Sequence, residues 1–194
     1  MSSLQHLADS AAARSPAEKK TDGENSVKIV EAVKEALGGS AQVLRSGSDK
    51  KATDIAESDI DNLVVTGTPV TPEDIKRVFQ NLKVLFPDGY VDDSLHTAYI
   101  CVRPAKGKDI DVKFQNTPGD TKALPKEHFK NNQPAQTAIR VFKAHLAEQG
   151  LKTKGVEIER CVIDFLQANK GCNAQEILEH LCKPNRFELQ PRLW

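Results

Sequence analysis

Apolar residues recur along this chain with two periods, and their order outlines a fold. From Asn25, the residues Val27, Val30, Val33 and Leu37 fall at helical spacing, with Asn25 or Ser26 as cap and Gly38-Gly39 as stop. Residues 1–24 carry no sustained apolar face and are expected to form a disordered tail. Gln42–Arg45 reads as a short strand that delivers Gly47-Ser48, and a second strand runs from Asp59 to Val65 with Ile60 pointing into the core. Thr71 caps the next helix and Pro72 takes its first position; Ile75, Val78, Phe79, Leu82 and Leu85 form its stripe and Pro87-Asp88-Gly89 ends it. Two more strands follow, Thr97–Val102 and Asp109–Phe114, joined by a hairpin loop over Pro104–Lys108. In the second of these Ile110, Val112 and Phe114 face one way and Asp109, Asp111 and Lys113 the other.

Asn116–Lys126 is a polar loop, and beyond it the pattern is helical. Pro134 opens a helix carrying Ala138, Val141, Phe142, His145 and Leu146, ended by Gly150. Gly155–Ala168 turns Ile158, Cys161, Val162 and Phe165 inward, and Ala174–Cys182 does so with Ile177, Leu178 and Leu181. The expected architecture is α+β: a mixed β-sheet flanked by helices over residues 25–125, then a short C-terminal helical region over 126–194.

Composition narrows the function classes. Lys+Arg and Asp+Glu both number 27, so no global basic field marks a nucleic-acid binder and any such binding has to be local. Aromatics at 5% argue against a base-stacking platform. Lys and Arg slightly outnumber Glu between Lys126 and Arg160, which suits a triphosphate or an RNA end but is common on helices. No apolar run approaches membrane-spanning length, so no membrane partner is expected. The four cysteines lack a CxxC spacing and read as reduced thiols of an intracellular, cytoplasmic protein. Cys161, Cys172, His180 and Cys182 fit no strong zinc signature, and Cys161 and Cys182 are expected to pack in the helical core.

The chemistry concentrates around one strand. Asp59 and Asp61 alternate onto the same face, roughly 6.5 Å apart along the backbone. Such a like-charge pair costs energy that a divalent cation removes. Asp111, on its own alternating strand, joins them if that strand is a neighbour, and three clustered acids suit two cations about 3.5–4 Å apart. The plainer reading is that Asp109, Asp111 and Lys113 form a solvated edge and Ser58 a turn. Gly47-Ser48 just upstream allows close backbone approach to a phosphate at a helix start. The whole pattern favours Mg²⁺ or Mn²⁺ beside a phosphate cradle.

Gly47-Ser48-Asp49-Lys50-Lys51-Ala52-Thr53-Asp54-Ile55, Ser58-Asp59-Ile60-Asp61 and Ile110-Asp111-Val112 together resemble the DNA polymerase β-type nucleotidyltransferase superfamily. The Lys-Lys-x-Thr-x-Ile section is most similar to its oligoadenylate-synthetase and cyclic-GMP-AMP-synthase-like branch. That branch usually carries Gly where this chain has Ala52. Arg140–Lys143 is similar to its Arg-Leu-Leu-Lys run and Leu151–Glu157 to its Leu-Lys-Ser-Tyr-x-Leu-Glu segment, with Lys154 where a base-stacking tyrosine often stands.

The resemblance implies a two-metal site in which Asp59, Asp61 and Asp111 are both ligands and catalytic residues, Asp111 also helping to take the proton from the attacking hydroxyl. It further implies that Gly47 and Ser48 hold the β- and γ-phosphates of a nucleoside triphosphate, with Lys143, Lys152 and Thr153 completing nucleotide binding. The implied reaction transfers a nucleoside monophosphate to a nucleotide or RNA hydroxyl, in the manner of an oligonucleotide or cyclic-nucleotide synthase, with pyrophosphate released. The alternative is a catalytically inactive module of the same fold that binds nucleotide or RNA or scaffolds a partner. A protein partner or an oligomer stays open. From carboxylate repulsion alone, Asp61→Ala is expected to abolish turnover and to leave stability unchanged or raised.

Overall fold

A capping box, rather than an apolar stripe, starts the longest helix. The backbone N–H of Glu18 donates to Ser15 Oγ (3.2 Å) and that of Ser15 donates to Glu18 Oε2 (2.8 Å), while Pro16 takes the first helical position. The structure is a computed structural model that describes residues 3–92, 99–115, 128–129 and 131–191, without the Asp49 side chain. Two helices, α1 (Ser3–Ala12) and α2 (Pro16–Leu37), therefore stand where residues 1–24 are expected to be disordered. The apolar stripe of α2 is also rotated from the expected one: Ile29, Ala32 and Val33 are buried, while Val27 is exposed.

The chain divides into two compact units, one comprising Arg14–Asp49 and Ser58–Thr121, the other Met1–Ala13, Lys50–Glu57 and Lys122–Trp194. In the first, β1 (Gln42–Arg45), β2 (Ile60–Val65), β3 (Tyr90–Asp92), β4 (Tyr99–Arg103) and β5 (Ile110–Phe114) form one mixed sheet in the order β1-β2-β5-β4-β3. Only β2 and β5 are parallel, and their register sets Ile60 against Ile110 and Asp61 against Asp111. Alternation buries Ile60, Asn62 and Val64 of β2 and Ile110, Val112 and Phe114 of β5, and turns the acidic residues to the opposite face. On the buried face lie α2 and α3 (Pro72–Leu85). Thr71 caps α3 through a capping box with Asp74, and Ile75, Val78, Phe79 and Leu82 are buried as the spacing predicts.

The second unit packs α1, α4 (Gln133–Glu148), α5 (Gly155–Ala168) and α6 (Ala174–Leu181) around Phe129, Ile139, Phe142, Ile158, Val162, Ile177 and Leu181. Two residues each make β6 (Leu151–Lys152) and β7 (Gln190–Pro191), which pair antiparallel. Thr137 Oγ1 on α4 donates to Gln5 Oε1 on α1 at 2.6 Å, so the N-terminal helix belongs to this unit. The polar loop expected over Asn116–Lys126, its 125/126 domain boundary and residues 97–98 of the expected strand lie outside the described residues. No described helix is long and apolar enough to cross a membrane.

Candidate functional site

Parallel register puts Asp61 and Asp111 side by side on neighbouring strands, facing away from the apolar core. Lys113, two residues beyond Asp111 on the same face of β5, lies diagonal to Asp61, within reach of a long side chain. Its Nζ donates to Asp61 Oδ1 at 2.6 Å and lies 3.8 Å from Asp111 Oδ2. Tyr99, opposite Lys113 on β4, donates its hydroxyl to Asp111 Oδ1 at 2.6 Å. Asp59 precedes β2 and is exposed, and its charge acts on Lys113 together with those of Asp61 and Asp111.

The protonation balance follows from this crowding. Burial pushes the Asp111 carboxyl above its ordinary range, Tyr99 and Lys113 pull it back down, and Asp61 adds to the rise. Burial lowers Lys113, but Asp61 by charge and hydrogen bond, with Asp111 and Asp59 behind it, outweighs that and holds the ammonium protonated above its usual value. Burial and the Asp111 bond raise Tyr99. Cys101, the register partner of Asp111, is pushed up to about 11 by burial and by Asp111, so it is a neutral thiol.

The glycine turn closes the other side of Asp61. Gly47 has φ +71°, and a Cβ built there would sit 1.8 Å from Asp61 Oδ2 and 2.9 Å from Asp61 Cβ. The N–H of Ser46 donates to the Asp61 carbonyl at 2.9 Å, tying the turn to the start of β2. Only glycine meets both demands, the left-handed backbone and the absent side chain. Ser48 follows in the same turn.

Of the residues expected to share a site, Asp61, Asp111 and Gly47 thus meet in the sheet unit, with Ser48 beside them. Among the described residues no three His, Cys, Asp or Glu side chains are grouped to hold a metal ion. The Asp61–Asp111 pair nonetheless fits a cation chemically. It supplies hard carboxylate oxygens, and a stand-in positive charge, the Lys113 ammonium, already bridges both residues.

Lys143, Lys152 and Thr153 lie in the helical unit. Lys143 Nζ donates to the Thr53 carbonyl at 2.8 Å, Lys152 is exposed on β6, and Thr153 Oγ1 lies 3.4 Å from Glu157 Oε2. Segment Lys50–Glu57 is clamped in the same unit. Lys51 Nζ donates to Glu159 Oε2 at 2.6 Å, Thr53 Oγ1 to Glu159 Oε1 at 2.9 Å, and Arg140 to the Asp54 carbonyl and carboxylate at 3.1 and 3.2 Å. Ala52, where the resembling branch has Gly, adopts φ +56°, the left-handed conformation that glycine takes without penalty. Cys182, expected in the helical core, is exposed at the end of α6; Cys161 packs against the core partly buried.

Lys113 and Tyr99 are the site residues that the sequence reading did not assign. Lys113 is signalled by its alternation with Asp111, but its contact with Asp61 depends on the β2–β5 pairing, which no single segment encodes.

Neither a family model nor a curated protein matches the chain by sequence. Solved structures do match by shape. The polymerase core of TRAMP, an RNA surveillance complex, superposes with a TM-score of 0.59 at 20% identity over 90% of this chain and 56% of that one. The Cid1 poly(U) polymerase, solved with Mg and 3′-dATP, gives 0.64 at 13% identity over 84% of this chain and 54% of that one. The CD-NTase CdnG of Bradyrhizobium diazoefficiens, in complex with GTP, gives 0.62 at 14% identity over 91% of this chain and 73% of that one. The chain spans a little over half the length of the first two. These likenesses show the fold: a five-stranded mixed sheet with helices, as in those three structures.

Proposed function

We propose that the protein transfers a nucleoside monophosphate from a nucleoside triphosphate to a hydroxyl acceptor and releases pyrophosphate. The observation that carries this reading is the Asp61–Asp111 pair in parallel register, sharing one positive charge, with the Gly47 turn packed against Asp61. Asp61 and Asp111, helped by Asp59, are the residues to hold Mg²⁺ or Mn²⁺. Such ions, when bound, neutralise triphosphate charge and acidify the attacking hydroxyl.

The rest of the work falls to the chain itself. Gly47, without a side chain, lets a polyphosphate approach the backbone beside Ser48. Asp111 Oδ2, the oxygen that Tyr99 does not occupy, is the atom to take the proton of the attacking hydroxyl, a role supported by the Tyr99 bond that holds the other oxygen of that carboxylate. The role that the resemblance gives Lys143, Lys152 and Thr153 in nucleotide binding is part of the same proposal. Oligonucleotide or cyclic-nucleotide synthesis is the preferred form, with an RNA end as the competing acceptor, and four free cysteines suit the reducing cytoplasm to which we assign it.

One observation favours a second reading, a non-catalytic module of this fold that binds nucleotide or RNA or scaffolds a partner: Lys113 already occupies the carboxylate pair. The test is incubation with each labelled nucleoside triphosphate and Mg²⁺ or Mn²⁺, with and without an RNA primer. Pyrophosphate and an extended or cyclised product are expected, and both should vanish in Asp61→Asn. An intact fold with no turnover of any nucleotide would overturn the enzyme reading.

A further inference from the structure

In this structure the chain's own atoms already engage one oxygen of each acid. Asp61 Oδ1 accepts from Lys113 Nζ at 2.6 Å, and Asp61 Oδ2 lies so close to Gly47 that a Cβ there would be 1.8 Å away. Asp111 Oδ1 accepts from the Tyr99 hydroxyl at 2.6 Å, and its Oδ2 has the same ammonium 3.8 Å away. Lys113 is therefore no solvated lysine of an edge strand. It sits on β5, between β2 and β4 in the sheet, and serves two acids that are opposite one another in register.

We propose that Lys113 is a resident counter-cation of the Asp61–Asp111 pair, which a divalent cation has to displace in order to bind. This rests on the metal-binding reading given under Proposed function and adds a regulation of that site. An ammonium hydrogen-bonded to Asp61 Oδ1 blocks that oxygen from direct coordination, since a bound Mg²⁺ approaches to about 2.0–2.1 Å. The two states therefore exclude one another at Asp61. Without metal, Lys113 offsets part of the repulsion between two neighbouring carboxylates. With metal, it is released, and its side chain is half-exposed and has a clear way out to solvent. The consequence is a site whose metal affinity is set below that of the same carboxylates without the lysine. A half-exposed ion pair is worth up to about a factor of five in an equilibrium constant, which fixes the size of the effect.

The experiment measures Mn²⁺ binding to the full chain by calorimetry and by the loss of the free-ion spin-resonance signal. It is paired with thermal melting with and without Mn²⁺. Wild type is compared with Lys113→Met and Lys113→Gln. Lys113→Arg keeps the charge, and Arg103→Met removes a cation on β4 that pairs with Asp109 at 3.4 Å. The expected result is Mn²⁺ affinity raised about fivefold in Lys113→Met and Lys113→Gln and within about twofold of wild type in Arg103→Met and Lys113→Arg. The two neutral variants should also melt lower than wild type without metal and gain more from Mn²⁺. Equal Mn²⁺ affinity in wild type and the neutral variants overturns the counter-cation while leaving the metal site standing. An equal rise in Arg103→Met overturns it too, because diffuse charge then explains the gain. Failure of Mn²⁺ to bind any of these folded proteins overturns the metal site itself, and the counter-cation with it.

Discussion

Two ion pairs of the same length, 2.6 Å, sit in opposite surroundings, one in each unit. Lys51 and Glu159 in the helical unit are 7% and 3% exposed, and Thr53 supplies a further hydrogen bond to Glu159. Lys113 and Asp61 in the sheet unit are 47% and 21% exposed. The buried pair lost its hydration on folding, so neither partner tolerates loss of the other, and it anchors the segment Lys50–Glu57. The half-exposed pair is worth little to stability, which is what leaves it free to yield to another cation. Identical geometry thus makes a structural clamp in one place and an exchangeable contact in the other.

Removing Glu159 breaks the comparison hardest. Glu159→Ala strands a buried ammonium and the Thr53 hydroxyl, so a loss of about 3–5 kcal/mol is expected by chemical denaturation. Glu159→Gln keeps an acceptor for Thr53 and should lose less. A change below about 1 kcal/mol in Glu159→Ala would place that pair in the same class as Lys113–Asp61.

In the sheet unit the larger effect comes from the turn. Gly47→Ala forces a left-handed alanine and drives its Cβ into Asp61, costing about 1–3 kcal/mol and displacing the carboxylate from the site. Denaturation and turnover should therefore fall together.

Asp61→Ala is the sharper probe. Carboxylate repulsion alone predicts unchanged or raised stability, whereas the Lys113 contact reverses the sign, and a loss of up to about 1 kcal/mol is expected without metal. A gain in melting temperature would restore the simpler view.

The smallest effect is a pH dependence. Burial raises Asp111 in the folded protein, so the folded state holds that proton more tightly than the unfolded chain does. Its contribution is present below the ordinary Asp range and lost as pH rises through the folded value. Asparagine does not titrate and can still accept from Tyr99. Asp111→Asn should accordingly melt above wild type at neutral pH and approach it as the solution is acidified. A gap that stays constant with pH would count against this origin.

The same two pairs mark how far the sequence could be read. Period and capping chemistry placed β1, β2, β5 and α3, because Thr71, Pro72 and the Ile75–Leu82 stripe act locally. The facing of Asp61 and Asp111 followed once β2 and β5 were neighbours, a condition only the sheet order supplies. Misread was the start of α2, where Ser15 and Glu18 cap a polar first half whose pattern resembles a tail. The three-residue β3 and two-residue β6 and β7 offer no period to detect. The Lys51–Glu159 pair was beyond the sequence because a buried ion pair across more than a hundred residues leaves no local pattern at either position. Lys113 was legible as an outward residue, but its partner lies across the strand pairing.

The most direct test is a crystal structure of the full chain with Mn²⁺ and a non-hydrolysable nucleoside triphosphate. The expected result is an anomalous peak bound by Asp61 and Asp111, the polyphosphate along the Gly47-Ser48 turn, and Lys113 Nζ withdrawn from Asp61. Nucleotide and Mn²⁺ absent from that carboxylate pair, with the Lys113–Asp61 contact still at 2.6 Å, would contradict it.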